Sequence, residues 1–193
     1  MAGQGDPHLP RLFAPGVAVL LGYVLLVGNP WLNRDLTIAL SSADSAARLV
    51  NVMLSYPSWH VDVDRVGPFV FWFANLRTVL FVALAVAGLN RVSRWVSDTA
   101  GGTGRFVTTA GVTTLGAVVA GLASAAAAVA LVDPRSAFPY IPPDRPEEFL
   151  LSELGVSASF GVLFGLVLGG VVAGQRRAPA SEERRVDAPK SLW

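Results

Sequence analysis

Phe106 to Val132 reads FVTTAGVTTLGAVVAGLASAAAAVALV, and no side chain in it carries a charge. A helix rises about 1.5 Å per residue, so about 20 apolar residues cross a hydrocarbon slab about 30 Å thick. Soluble core helices rarely stay uncharged for so long, so this stretch reads as a membrane span. No window of the chain alternates polar and apolar residues as a membrane barrel strand does.

Three more stretches share the pattern. Residues 149–174 are interrupted only by Glu153, and residues 69–89 are apolar apart from Asn75, Arg77 and Thr78. Residues 12–32 are apolar too, with Pro15 tolerated in the first turn and Gly28-Asn29-Pro30 loosening the far end. The expectation is an all-α integral membrane protein with four transmembrane helices, at about 12–32, 69–89, 106–132 and 149–174. Arg11 ahead of the first run would also suit a signal peptide. No A-x-A-like cleavage site follows Val27, which favours a retained span.

Composition points the same way. The 193 residues suit about one domain. They are 52% hydrophobic and 15% charged, against about 25% charged in ordinary soluble domains, which argues against a water-soluble globule. Fifteen basic and fourteen acidic residues leave a net charge of +1, so no broad basic surface awaits nucleic acid. The absence of cysteine excludes disulfides, thiol nucleophiles and thiolate metal sites. Lys190 is the only lysine and Ala, Val and Gly are abundant, a composition associated with high-GC bacteria.

Arginines set the expected orientation. Arg91, Arg94 and Arg105 flank one connection with Asp98, and Arg176, Arg177, Arg184, Arg185 and Lys190 lie in the tail. The 133–148 connection instead sets Arg135 and Arg145 against Asp133, Asp144, Glu147 and Glu148. Positive flanks stay in the cytoplasm, which puts the N- and C-termini inside a bacterial cytoplasmic membrane. Trp31, Trp72 and Trp95 fall at expected span ends, where amphipathic rings sit best. The polar tail 175–193 is expected to be disordered and cytoplasmic, with Arg176 and Arg177 anchoring it to anionic headgroups.

Between the first two spans, Leu40, Ala43, Ala47, Val50 and Leu54 recur at helical spacing, joined by Ala46, Leu49 and Met53. Ser41, Asp44, Arg48, Asn51 and Ser55 line the other side, and Tyr56-Pro57 ends the run. This predicts an outer amphipathic helix over about 42–56, lying on the outer leaflet or capping the bundle. The 133–148 connection contains five prolines and is expected to be an extended crossover. Gly101-Gly102-Thr103-Gly104 lacks the Lys-Ser/Thr of a phosphate-binding loop and reads as a cytoplasmic turn.

Helices in lipid associate where small residues let backbones approach. Ser157, Gly161, Gly165, Gly169 and Ala173 form such a face on the fourth span. Thr113, Ala117, Gly121 and Ala125 form another on the third, with Gly116, Ala120, Ser124 and Ala128 alongside. An antiparallel pair within one molecule is the first expectation and a homodimer along the fourth span the second.

Arg77 is the most informative single residue. A charge within a span costs about 2.5 to 3.5 kcal/mol or more at the bilayer centre, so it needs a partner or a route to the headgroups. Glu153, about one turn in from the same outer side, is the natural counter-ion. His60, Asp62 and Asp64 would face one side of an extended strand and form a weak candidate metal site, three donors without a fourth. No G-x-S-x-G or H-E-x-x-H motif accompanies His60, and no cofactor motif is present. Thr108, Thr109, Thr113 and Thr114 make the one polar stripe, and threonines commonly bond their own helix. These features predict a non-enzymatic accessory or scaffold component of an envelope complex. Its partners would be membrane lipids and another membrane protein or a second copy. The alternative is a subunit of an oligomeric transporter or channel.

Overall fold

The computed structural model describes residues 14–29, 31, 45–93, 101–133, 137 and 140–174. The expected tail 175–193, residues 12, 13, 30 and 32 of the first expected span, and residues 42–44 of the outer helix lie outside them. The described residues form helices and no strand.

Six helices are described: α1 (Ala14–Val27), α2 (Ser45–Ser55), α3 (Val63–Val66), α4 (Pro68–Ser93), α5 (Gly102–Leu131) and α6 (Pro146–Gly174). Stretches Pro68–Arg91, Gly102–Leu131 and Pro146–Gly174 are long and apolar enough to cross a membrane, so the chain has the build of a multi-pass membrane protein. α1 differs from the expected first span. Its described part is helical from Ala14 to Val27 and ends before Gly28, ahead of the expected limit at residue 32. The helix stops where the chain must pass another segment closely. A Cβ on Gly28 would lie 2.5 Å from the Pro57 carbonyl oxygen and 2.7 Å from the Trp59 ring, so only glycine fits.

The contacts fix the helix directions. Along α5 and α6, Gly121 meets Ser157, Gly161 meets Thr114 and Ala117, Gly165 meets Ala110, and Gly169 meets Phe106, an antiparallel register. At Gly165 an added Cβ would lie 2.8 Å from the Ala110 carbonyl oxygen, so the two backbones touch. α4 runs antiparallel to α5, with Gly116 against Ala85 and Gly88 against Val112. α1 runs antiparallel to α6, Gly16 packing on Val172 and Leu168 and Tyr23 on Phe160 and Phe164. The bundle core is filled by Leu20, Phe81, Leu89, Phe160, Phe164, Leu168 and Val172.

The turn after α2 belongs to that same core. Tyr56 is fully buried, stacked on Phe160 at 4.2 Å and edge-on to Phe81 at 5.7 Å. Leu54 is buried and Val52 and Met53 pack on the core, whereas Leu49 and Val50 remain exposed. The buried side of the helix at this end is therefore set by how Leu54 and Met53, two members of the expected apolar stripe, dock with Val52.

At the other connection, Ala137 and Ile141 dock with Phe69 and Ala128 into a second apolar cluster. The Tyr140 ring stacks on Phe69 at 5.2 Å, so these residues pack back onto the bundle. α3 is a single turn capped by Asp62, whose carboxylate accepts from the Asp64 and Arg65 backbone N–H groups. Gly67, at φ 83°, then turns the chain into α4, which starts on Pro68.

Candidate functional site

Asn75, Arg77 and Thr78 sit in the first half of α4, where a polar group has few alternatives to a protein partner. All three reach the segment that follows α2. Asn75 makes a paired contact with His60, accepting from its backbone N–H and donating to its carbonyl, both at 3.0 Å. The Thr78 hydroxyl donates to the Ser58 carbonyl at 2.8 Å. Arg77 Nη2 donates to the Tyr56 carbonyl at 3.2 Å, and Nη1 donates to Glu153 Oε2 at 2.9 Å.

The Arg77 guanidinium is buried, 7% exposed as a residue, and lies over two rings. Tyr56 is 4.7 Å away and Phe73 5.3 Å. Each ring face adds roughly 1 kcal/mol or more once water is gone. Its charge is thus met by a carboxylate, a carbonyl and two π faces. A buried ion pair of this kind is weak evidence for stability, because desolvation offsets much of the attraction, but breaking it leaves an uncompensated charge.

Other bonds tie the same segment to its remaining neighbours. The Tyr56 hydroxyl donates to the Ala117 carbonyl at 2.7 Å, halfway along α5. Trp59 donates from Nε1 to the Val24 carbonyl and from its backbone to the Gly28 carbonyl, both at 3.2 Å. The Tyr23 hydroxyl donates to the Met53 carbonyl at 2.5 Å. Residues 56–60 therefore form an irregular strap inserted between α1, α4, α5 and α6. Tyr56 reaches the level where α5 and α6 are at mid-length. Irregular backbone at such depth is stable only where protein satisfies its polar groups, which these bonds do.

Family models, curated proteins and solved structures give no match to this chain. Function is therefore read from the geometry.

The structure brings Arg77 and Glu153 together and sets Ser157, Gly161, Gly165 and Gly169 against α5. That face is filled by Ala117, Gly121 and their neighbours, while Ala125 is buried one turn further along and Ala173 is partly buried. Two copies could associate along this row only by first parting α5 from α6. His60, Asp62 and Asp64 do not converge. Asp62 is engaged as a helix cap, Asp64 is exposed, and no group of three metal-binding side chains occurs among the described residues. Partial burial lowers the His60 pKa from its ordinary value by disfavouring the charged ring.

Tyr56, Trp59 and Thr78 carry the strap without standing out in the sequence. Their one signal is that Asn75, Arg77 and Thr78 need partners, and two helical spans cannot supply backbone carbonyls to all of them.

Proposed function

We propose that this chain is a non-enzymatic accessory or scaffold component of a bacterial envelope complex. It crosses the cytoplasmic membrane four times with both termini in the cytoplasm. The observation that carries the reading is the internal use of the Arg77 charge. Glu153, the Tyr56 carbonyl and two rings occupy it, so the outer half of the bundle is a braced platform. Exposed on that side are Val61, Val63, Trp72 and Tyr140, large apolar side chains suited to a protein or lipid neighbour. Affinity purification from native membranes in mild detergent tests this, with a defined membrane protein expected to co-elute in fixed proportion. Recovery of the chain with lipid alone would refute it.

A second reading, as subunit of an oligomeric transporter or channel, is favoured by the strap itself. Interrupted helices and buried irregular backbone at mid-depth are the build of ion and solute sites in transporters. Solute or ion flux in liposomes holding the purified chain distinguishes the two.

A further inference from the structure

Residues 123–128 of α5 read ASAAAA, a run whose side chains are too short to fill space beside a neighbouring helix. The neighbour is the first half of α4, where Phe69 and Phe73 are held in the cluster formed with Ala137, Ile141 and Phe149. Further along, α4 and α5 touch, Gly116 lying on Ala85 and Gly88 on Val112. At the alanine run they part. A cleft of about 350 Å³ opens there, with Phe69, Trp72 and Leu76 on one wall and Ser124, Ala127 and Leu131 on the other. Ser124 supplies the one hydroxyl of the lining and already donates to the Ala120 carbonyl at 2.7 Å, so the cleft presents an apolar surface. Trp72 and Leu131 are 70% and 83% exposed, which leaves its side open to whatever surrounds the bundle.

Shape and charge decide between occupants. From Phe69 to Leu76 the cleft runs along the helices for about 10 Å, less than the roughly 15 Å of hydrocarbon in one leaflet. Its volume spread over that length gives a cross-section of about 35 Å², against about 80 to 110 Å² for a helix with its side chains. A helix of a partner or of a second copy is therefore too thick, and it would also meet the closed α4–α5 contact below. A single alkyl chain fits both the width and the depth. At the mouth, the chain entering Pro68 carries exposed Asp62, Asp64 and Arg65, and exposed Asp133 follows Val132. Three carboxylates against one guanidinium repel a net anionic headgroup and suit one with an ammonium group, whose phosphate can still meet Arg65. We propose that this cleft binds one acyl chain of a zwitterionic phospholipid bearing an ammonium headgroup. The lipid fills the gap that the alanine run leaves. This inference rests on the multi-pass build and is independent of the scaffold role.

The test uses the full chain purified in mild detergent, mixed with equal amounts of phosphatidylethanolamine and phosphatidylglycerol of identical acyl chains and read by native mass spectrometry. One phosphatidylethanolamine should survive the activation that strips detergent, retained over phosphatidylglycerol by at least about fivefold. Ala127→Phe and Leu76→Trp fill the cleft from opposite walls, and each should lower that retention by about tenfold. Val119→Phe, on an exposed part of α5 away from the cleft, should leave it unchanged. Equal retention of the two lipids by the wild-type chain, or retention unaltered in both filled variants, would overturn the proposal. So would a chain that resists carbonate extraction yet keeps no lipid, an outcome that leaves the membrane reading intact.

Discussion

Removing the carboxylate at position 153 should harm the fold more than removing the cation at position 77. In the wild-type chain the two groups meet at 2.9 Å with side chains 8% and 13% exposed. At charge centres about 4 Å apart and an effective dielectric constant near 20, their attraction is about 4 kcal/mol. Glu153→Leu leaves a guanidinium that cannot shed its proton and has lost its carboxylate partner, while the Tyr56 carbonyl and the rings of Tyr56 and Phe73 stay beside it. A loss of about 3 to 5 kcal/mol follows. Arg77→Met leaves a carboxyl group that can neutralise itself by binding a proton, so its cost should fall to about 2 kcal/mol, chiefly the lost bond to Tyr56. The double variant should be less destabilised than Glu153→Leu alone, because no uncompensated charge remains. Reversible unfolding in mixed micelles gives all four corners of the cycle. A coupling below about 0.5 kcal/mol, or a milder effect of Glu153→Leu than of Arg77→Met, would refute the reasoning.

Gly165→Ala drives a methyl group into the Ala110 backbone and should cost about 1 to 3 kcal/mol by thermal unfolding in detergent. Gly170→Ala meets nothing within 4 Å and should be neutral or slightly stabilising. Tyr56→Phe removes the donation to Ala117 and should cost about 1 kcal/mol, measured the same way. Protonation of His60 is disfavoured in the fold, so the unfolded chain takes up that proton first as the pH drops. Stability should hold above about pH 6.5 and decline below it, and His60→Gln should flatten that part of a pH series of melting temperatures. The chain should stay in the membrane pellet through an alkaline carbonate wash, as three long apolar helices require.

What can be anticipated from sequence is whatever a single residue demands. Arg77 within an apolar run requires compensation, and Glu153 is the acid at matching depth from the same side. The glycines of α6 at every fourth position announce close approach, and the matching small row on α5 names a partner. The strap carries no such announcement. Tyr56-Pro57 reads as the end of an outer helix, and its burial depends on Phe160 and Ala117, far away in the chain. The end of α1 has the same origin, since Gly28 lies against Pro57 and Trp59, far away in the chain. Likewise all four threonines of the polar stripe fit the rule of bonding their own helix. Only the packing separates Thr109 and Thr113 from Thr108 and Thr114.

Stacking of Tyr56 on Phe160 has a consequence for how the molecule is made. α6 is synthesised after every other described helix, so the socket for the strap does not exist until α6 is made. Until then Arg77 is in the membrane without Glu153, and the polar edge of α4 must borrow water or lipid phosphate. A nascent chain stalled before α6 therefore displays a bare guanidinium at bilayer depth. That mark of incompleteness is one that membrane quality control could read, and it disappears when α6 docks.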